Sequence, residues 1–319
     1  MRAFAADRHG PVSELSLREL PQPRPGKHQL LIRVHGAALN PADLKVLEHR
    51  DGGSFLHASS FPLILGFDFS GVIESIGEGV TKHAVGDEVY GFLPYARSTR
   101  GGTFAEYVVA GENAVGRKPR SISHSEAAAA ATTAASALQA LRKGRLAAGQ
   151  SVLIHGASGG LGSYAVQIAK LLGASRVVGT ASAAKLDYVR ELGADHAVDY
   201  RAIPLAAMSD QFAVILDAAS ASSFAECAPL LESGGSYVAT LPSPRLFAGM
   251  ARALFSSKRC TFFIAKSEPA DLDQLAAWFD AGTLKAAVER SYPLAELPVA
   301  LERMRTGAAR GKLAITVDS

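Results

Sequence analysis

The alternation of apolar and polar positions changes its period near residue 121 of this 319-residue chain. Before that point, short apolar runs are separated by glycine and proline. Residues 30–34 (Leu-Leu-Ile-Arg-Val), 71–75, 89–92 and 106–109 read as short strands, and Val85-Gly86-Asp87-Glu88 reads as a turn between two of them. Pro21, Pro23 and Pro25 forbid a helix where they stand. The pattern predicts a small barrel or sandwich.

After residue 121 the period lengthens. Ser123-His124-Ser125-Glu126 has the form of a helix cap, and residues of high helix propensity follow to about Lys143. Strands are then predicted at 151–155, 176–180, 212–217, 237–241 and 261–265. Helices are predicted at 161–172, 184–192 and 223–231, with Gly173, Gly193 and Gly234 closing them. This alternation predicts an α/β fold, a parallel sheet with helices on both faces. The tail adds helical patterns at 271–281 and 295–304 and a strand at 312–317.

Composition narrows the class. With 48% hydrophobic and 20% charged residues, a chain of this length buries a core without disulfides or metals. Cys227 and Cys260 have no metal-ligand spacing, and no metal is expected. The net charge of +3 is scattered, and the basic runs at 118–120 and 142–145 are too short for a nucleic-acid stripe. The first eight residues lack an apolar signal core, and the alanine-rich run at 127–141 is too short to span a bilayer. A cytoplasmic protein with no nucleic-acid or membrane partner is expected.

The strongest chemical signal is Gly156-Ala157-Ser158-Gly159-Gly160-Leu161-Gly162, placed between the strand Ser151-Val152-Leu153-Ile154-His155 and an amphipathic helix. Gly159 lets the backbone approach a pyrophosphate, Gly162 lets helix and strand pack closely, and the first helical N–H groups face the phosphates. Ser158, Gly159, Gly160, Leu161 and Gly162 are therefore candidate dinucleotide contacts. An acidic residue at the end of the second strand would select NAD. That strand instead ends Thr180-Ala181-Ser182-Ala183-Ala184-Lys185. Ser182 and Lys185 suit a 2′-phosphate, so NADPH is the expected cofactor. Ala218 and Leu241, at later strand ends, are expected to offer backbone contacts.

Four further segments carry a resemblance. They are Asn40-Pro41-Ala42-Asp43, Pro62-Leu63-Ile64-Leu65-Gly66-Phe67-Asp68-Phe69-Ser70-Gly71, Gly102-Thr103-Phe104-Ala105-Glu106-Tyr107 and Thr133-Ala134-Ala135-Ser136-Ala137-Leu138. With the glycine turn and Arg310-Gly311-Lys312-Leu313, they resemble the medium-chain dehydrogenase/reductase superfamily, in its zinc-independent quinone oxidoreductase (zeta-crystallin-like) branch. The resemblance implies a GroES-like catalytic domain over 1–120, a Rossmann NADPH-binding domain over 121–267 and a C-terminal return over 268–319. Zinc-dependent relatives place a cysteine where Asn40 stands and a His-Glu pair where Phe67-Asp68 stands.

The resemblance implies an NADPH-dependent enzyme transferring hydride to a quinone or another conjugated carbonyl acceptor. An enoyl or alkenal double-bond reductase, or a non-catalytic NADPH-binding sensor or structural protein, fits the same motifs. Asn40 is the first candidate on the substrate side, where its amide can donate to an oxyanion or only brace the turn before Pro41. By resemblance Thr133 faces the nicotinamide or its ribose, or it bonds its own helix backbone. Tyr95 is a candidate proton donor or a plain loop tyrosine. Asn40 and Thr133 are also counted with the cofactor contacts. Thr180, Tyr200, and Arg310 or Lys312 at the 2′-phosphate complete that set. The apolar strand Thr261-Phe262-Phe263-Ile264-Ala265 is expected at a sheet edge, which the resemblance implies joins a homodimer, or which the C-terminal helices cover.

Overall fold

The computed structural model describes residues 1–58 and 60–317. Contacts divide the chain into two units, residues 1–135 with 266 onward, and residues 136–265. The division falls inside the helix His124–Lys143. Its start is closed reciprocally. Ser123 N donates to Glu126 Oε2 at 2.8 Å, and Glu126 N donates to Ser123 Oγ at 3.3 Å.

The unit of residues 136–265 is built on six parallel strands. Their order is His196–Asp199, Arg176–Ala181, Ser151–His155, Phe212–Asp217, Leu231–Ala239 and Arg259–Phe262. Phe212–Asp217 is buried at all six positions, as a central parallel strand must be when both faces are covered. From Ser151–His155 the chain winds outward through two strands, then returns to Phe212–Asp217 on the other side. The winding reverses between these two strands, and in such sheets ligands lie outside the carboxyl ends at that point. The helices Gly160–Leu171, Leu186–Glu191, Phe224–Cys227 and Pro244–Ala253 belong to this unit.

Two expectations need correction here. The last strand is Arg259–Phe262 rather than 261–265, because its partner ends at Ala239, which faces Phe262. It does lie at the end of the sheet, and Ile264 beyond it is 65% exposed. The helix Pro244–Ala253 was not expected from the apolar pattern, although Ser243 caps it by accepting from Leu246 N at 3.1 Å.

The other unit carries a seven-stranded sheet. Its main path runs Val288–Pro293, Lys312–Thr316, Gln29–Ala38, Asp68–Ile76, Glu88–Phe92 and Val115–Arg117, and Tyr107–Gly111 also pairs with Gln29–Ala38. A three-stranded sheet of Ser16–Glu19, Arg2–Ala6 and Leu63–Ile64 completes its strands. Ala38 faces Ala314 on one side and Asp68 on the other. Leu39 N then donates to Leu313 O at 3.1 Å. This register brings the start of the last strand beside the helix Pro41–Leu47 and the head of Asp68–Ile76. Among the described residues, no helix is long and apolar enough to cross a membrane.

Gly162 shows how tightly the glycine turn is closed. A Cβ there would stand 2.2 Å from Gly156 O and 2.7 Å from Ala157 Cα, both backbone atoms. Gly162→Ala should therefore cost about 1–3 kcal/mol and lower the thermal midpoint by several degrees. A midpoint equal to wild type in a thermal melt would show that the turn relaxes freely.

Candidate active site

At the glycine turn, Gly156 leaves its strand with φ +82°, and a Cβ on it would meet Ala219 Cβ at 2.8 Å. These two constraints explain that glycine internally. Gly159 is different. Its φ is −83°, and a Cβ would meet nothing nearer than Gly156 O at 3.6 Å. The fold has no need of glycine there, and the space above it is open for a ligand to approach. The helix Gly160–Leu171 has no side-chain cap and no acid in its first turn. Its leading N–H groups are thus suited to an anion. The turn fits a dinucleotide pyrophosphate.

The remaining cofactor candidates of this unit divide into two groups. Ser182 and Tyr200 follow paired strand ends, since Ala181 faces Asp199 and Tyr200 N donates to Ala181 O at 3.2 Å. Lys185 lies one short turn on, with its N–H donating to Ser182 O at 2.8 Å. Tyr200 is 39% exposed, and Arg201 lies over its ring at 5.7 Å. Ala218 N is bonded to His155 O at 3.0 Å, and Leu241 is exposed beyond its strand. Thr180, by contrast, is fully buried. Its hydroxyl accepts from Gly156 N at 3.2 Å and pairs with His155 Nδ1 at 2.7 Å. It braces the turn from beneath. Burial lowers His155 from the usual histidine value, against the charges of Asp217 and Glu226.

The other unit holds a buried polar network. Asn40 begins the helix Pro41–Leu47, where Asp43 Oδ2 accepts from Asn40 N at 2.7 Å. The Asn40 side chain turns away from that cap. Its Nδ2 donates to Asp68 Oδ2 at 2.8 Å, and its Oδ1 accepts from Lys312 Nζ at 2.7 Å. Lys312 also donates to Leu39 O and, at 3.4 Å, to Asp68 Oδ2. Asp68 Oδ1 accepts from Thr132 N at 3.1 Å and from Thr132 Oγ1. Tyr95 OH lies 3.3 Å from Thr132 Oγ1, and its ring stacks on Phe67 at 4.2 Å. Thr132 has given its own proton to Asp68, so Tyr95 must be the donor to it.

Several expectations change on this geometry. Lys312 is 4% exposed, and its ammonium serves Leu39, Asn40 and Asp68 instead of standing free for a phosphate. Arg310 is exposed on the surface, and its N–H donates to Glu289 Oε2 at 2.6 Å. Thr133 directs its hydroxyl to Ala129 O at 2.7 Å, the helix-internal bond open to any such threonine. Its neighbour Thr132 is the one in the network. Tyr95 directs its proton inward, and burial pushes its phenol well above the ordinary range. It is poorly set to protonate a substrate. Thr132 and the partnership of Asp68 with Lys312 were not foreseen, because strand register and the packing of the helix His124–Lys143, not local sequence, join residues 40, 68, 132 and 312.

Parts of both units match known family models. Residues 26–120 match the alcohol dehydrogenase GroES-like domain, and residues 192–315 match a model described as zinc-binding dehydrogenase. The chain is 32% identical to a 2-methylene-furan-3-one reductase of Solanum lycopersicum, over 99% of this chain and 79% of the relative. It is 31% identical to an Arabidopsis thaliana protein named NADPH-dependent alkenal/one oxidoreductase, chloroplastic, with the same two coverages. The solved quinone oxidoreductase of Coxiella burnetii superposes with a TM-score of 0.88 at 30% identity, covering 100% of this chain and 99% of that one. The chain belongs to the medium-chain dehydrogenase/reductase superfamily, in its quinone oxidoreductase-like branch.

In this medium-chain dehydrogenase/reductase, no group of three or more His, Cys, Asp or Glu among the described residues is placed to hold a metal ion. Burial pushes the Asp68 carboxyl up, against the pull of Lys312, Thr132 and Asn40. Burial pushes the Lys312 ammonium down, against Asp68 and Asp43.

Asp43 is fully buried, and its Oδ1 has no hydrogen-bond partner. Desolvation pushes it from 3.8 up to about 7, against the Asn40 amide and the Lys312 charge. An acid whose folded value is raised lends stability below its unfolded value and loses it as pH rises through the folded one. Asp43→Asn keeps an acceptor for Asn40 N but cannot ionise. It should gain on wild type as pH climbs from about 4 to about 7, by up to about 4 kcal/mol. Denaturation midpoints of both proteins at about pH 5 and about pH 8 check this. An equal difference at the two pH values would mean that Asp43 does not titrate in that window.

Proposed function

We propose that this chain is an NADPH-dependent reductase that transfers hydride to quinones and other conjugated carbonyl compounds, without a metal. The single observation that carries the reading is the Asn40–Asp68–Lys312 network, joined in one chain to a Rossmann turn open above Gly159. The names of the relatives support both acceptor types, an enone reductase in one case and a quinone oxidoreductase in another.

NADPH, when bound at the glycine turn, supplies the hydride. The Gly159–Gly162 backbone would hold its pyrophosphate, and Ser182, Lys185 and Tyr200 would serve its 2′-phosphate. No acid stands at the end of the strand Arg176–Ala181 to favour NADH. Asn40 then serves the acceptor. One of its Nδ2 hydrogens goes to Asp68, and the other has no partner among the described residues. That second N–H donates to the carbonyl oxygen on which negative charge develops. Overall, quinone, NADPH and one proton taken from solvent give hydroquinone and NADP+.

Zinc does not fit here. Zinc prefers thiolate and imidazole donors, no three of His, Cys, Asp and Glu among the described residues are grouped to hold a metal ion, and Asp43 and Asp68 are the ionisable acids beside Asn40. The Lys312 ammonium already sits against Asn40 Oδ1 and Asp68 Oδ2, and it repels a second cation. We also propose that Arg259–Phe262, the last strand of the six-stranded sheet, pairs with its copy in a homodimer.

The direct test is NADPH oxidation with 1,4-benzoquinone, a 2-alkenal and an enoyl thioester, repeated with NADH. The expected outcome is turnover with the first two, and a kcat/KM for NADPH at least about tenfold above that for NADH. No acceleration by any acceptor would leave a non-catalytic NADPH-binding protein as the reading. Asn40→Ala should lower kcat by about 100-fold. Its NADPH dissociation constant, read by nicotinamide fluorescence, should stay near the wild-type value. Unchanged turnover would remove Asn40 from the reaction.

A further inference from the structure

We propose that Lys312 is the positioning residue that orients and polarises the Asn40 carboxamide. This rests on Asn40 serving the acceptor, and it assigns Lys312 to the acceptor side of the reaction and not to the cofactor phosphate.

The two ends of a carboxamide have nearly the same shape. Which one faces a given neighbour is decided by that neighbour's chemistry. An ammonium only donates, so the end of Asn40 that lies 2.7 Å from Lys312 Nζ must be its oxygen. Asp68 Oδ2, 2.8 Å from the other end, takes the nitrogen. The two neighbours make the same choice, and the unused N–H is left at a fixed place on the fixed end.

Lys312 cannot relax away from this role. It is the first residue of the strand Lys312–Thr316, whose Ala314 faces Ala38. Its side chain is 5% exposed, and its three N–H donors match three oxygens: Leu39 O, Asn40 Oδ1 and Asp68 Oδ2. A positive charge on the amide oxygen also draws electron density from the nitrogen. The remaining N–H becomes a stronger donor, as in any hydrogen-bonded chain in a low-dielectric interior. The charge thus reaches the acceptor through Asn40 without touching it.

The test uses the whole protein. Lys312→Met keeps the stem and removes the charge, but it leaves Asp68 uncompensated and can unfold the protein. The pair Lys312→Met with Asp68→Asn removes both charges together and keeps the test open. Both variants should lose kcat with 1,4-benzoquinone by about tenfold or more, with KM for NADPH within about twofold of wild type. Lys312→Arg, which keeps donors at the same place, should recover part of the loss. A second readout does not depend on turnover. The Asn40 side-chain amide signals in a ¹⁵N spectrum, assigned by their absence in Asn40→Ser, should move toward free-carboxamide positions in the double variant. Unmoved signals, or a double variant with wild-type kcat, would overturn the proposal. So would a KM for NADPH raised about tenfold at unchanged kcat, since Lys312 would then act on the phosphate. If the wild-type protein turns over no acceptor, the functional reading fails, and the amide signals still decide what Lys312 does to Asn40.

Discussion

The contact between the Lys312 ammonium and the Asp68 carboxylate oxygen is the constraint around which the first unit is arranged. Neither group is accessible, and neither charge is tolerable in an apolar interior alone. Both charges are therefore met by donors and acceptors drawn from several segments. Leu39 O, Asn40 and Thr132 all point inward to complete the two coordination shells. Four segments distant in sequence must arrive together for this to happen: the turn at 39–40, the strand Asp68–Ile76, the helix His124–Lys143 and the strand Lys312–Thr316. The last of these is what obliges the chain's end to return to the sheet it began.

The second unit depends on a different constraint, that of space. Gly162 brings the helix Gly160–Leu171 against Gly156 O so closely that no side chain fits between them. Thr180 ties the same turn from below through Gly156 N and His155. A turn held from both sides presents its N–H groups at fixed positions, which is what recognition of a pyrophosphate requires. The openness above Gly159 belongs to the same design. The fold packs closely at Gly156 and Gly162 and leaves Gly159 open.

Much of the second unit was legible in the sequence, because it is written locally. Strand, glycine turn and helix follow each other within twenty residues, and the apolar runs carry their own period. Phe212–Asp217 is a continuous apolar run, which is how a doubly covered strand reads. The helix Pro244–Ala253 escaped notice because Gly249 interrupts a short pattern, although Ser243 and Pro244 mark its start. The network of the first unit was legible only in part. Asn40 could be singled out from its place before Pro41. Thr132 and Thr133 cannot be told apart by residue type, and only the packing shows that one meets Asp68 while the other bonds Ala129. Lys312 reads from sequence as a basic residue near a phosphate, and only strand register shows that it is buried beside Asn40.

The charge balance of the network adds one more step. Asp43, Asp68 and Lys312 lie close enough to act on one another. With all three ionised, the cluster would carry one uncompensated negative charge out of reach of water, a costly state in a low-dielectric interior. Burial pushes Asp43, the acid with an unpartnered oxygen, up to about 7. A proton held there makes the cluster neutral, with Asp68 and Lys312 as its ion pair. The missing partner at Asp43 Oδ1 and the completed shell around Lys312 are then two sides of one arrangement. Below about pH 7 the Asp43 carboxyl that caps the helix holds the proton, and Asp68, which accepts from Asn40 Nδ2, is paired with Lys312. Of the two acids beside Lys312, Asp68 is the one that the Asn40 side-chain amide meets.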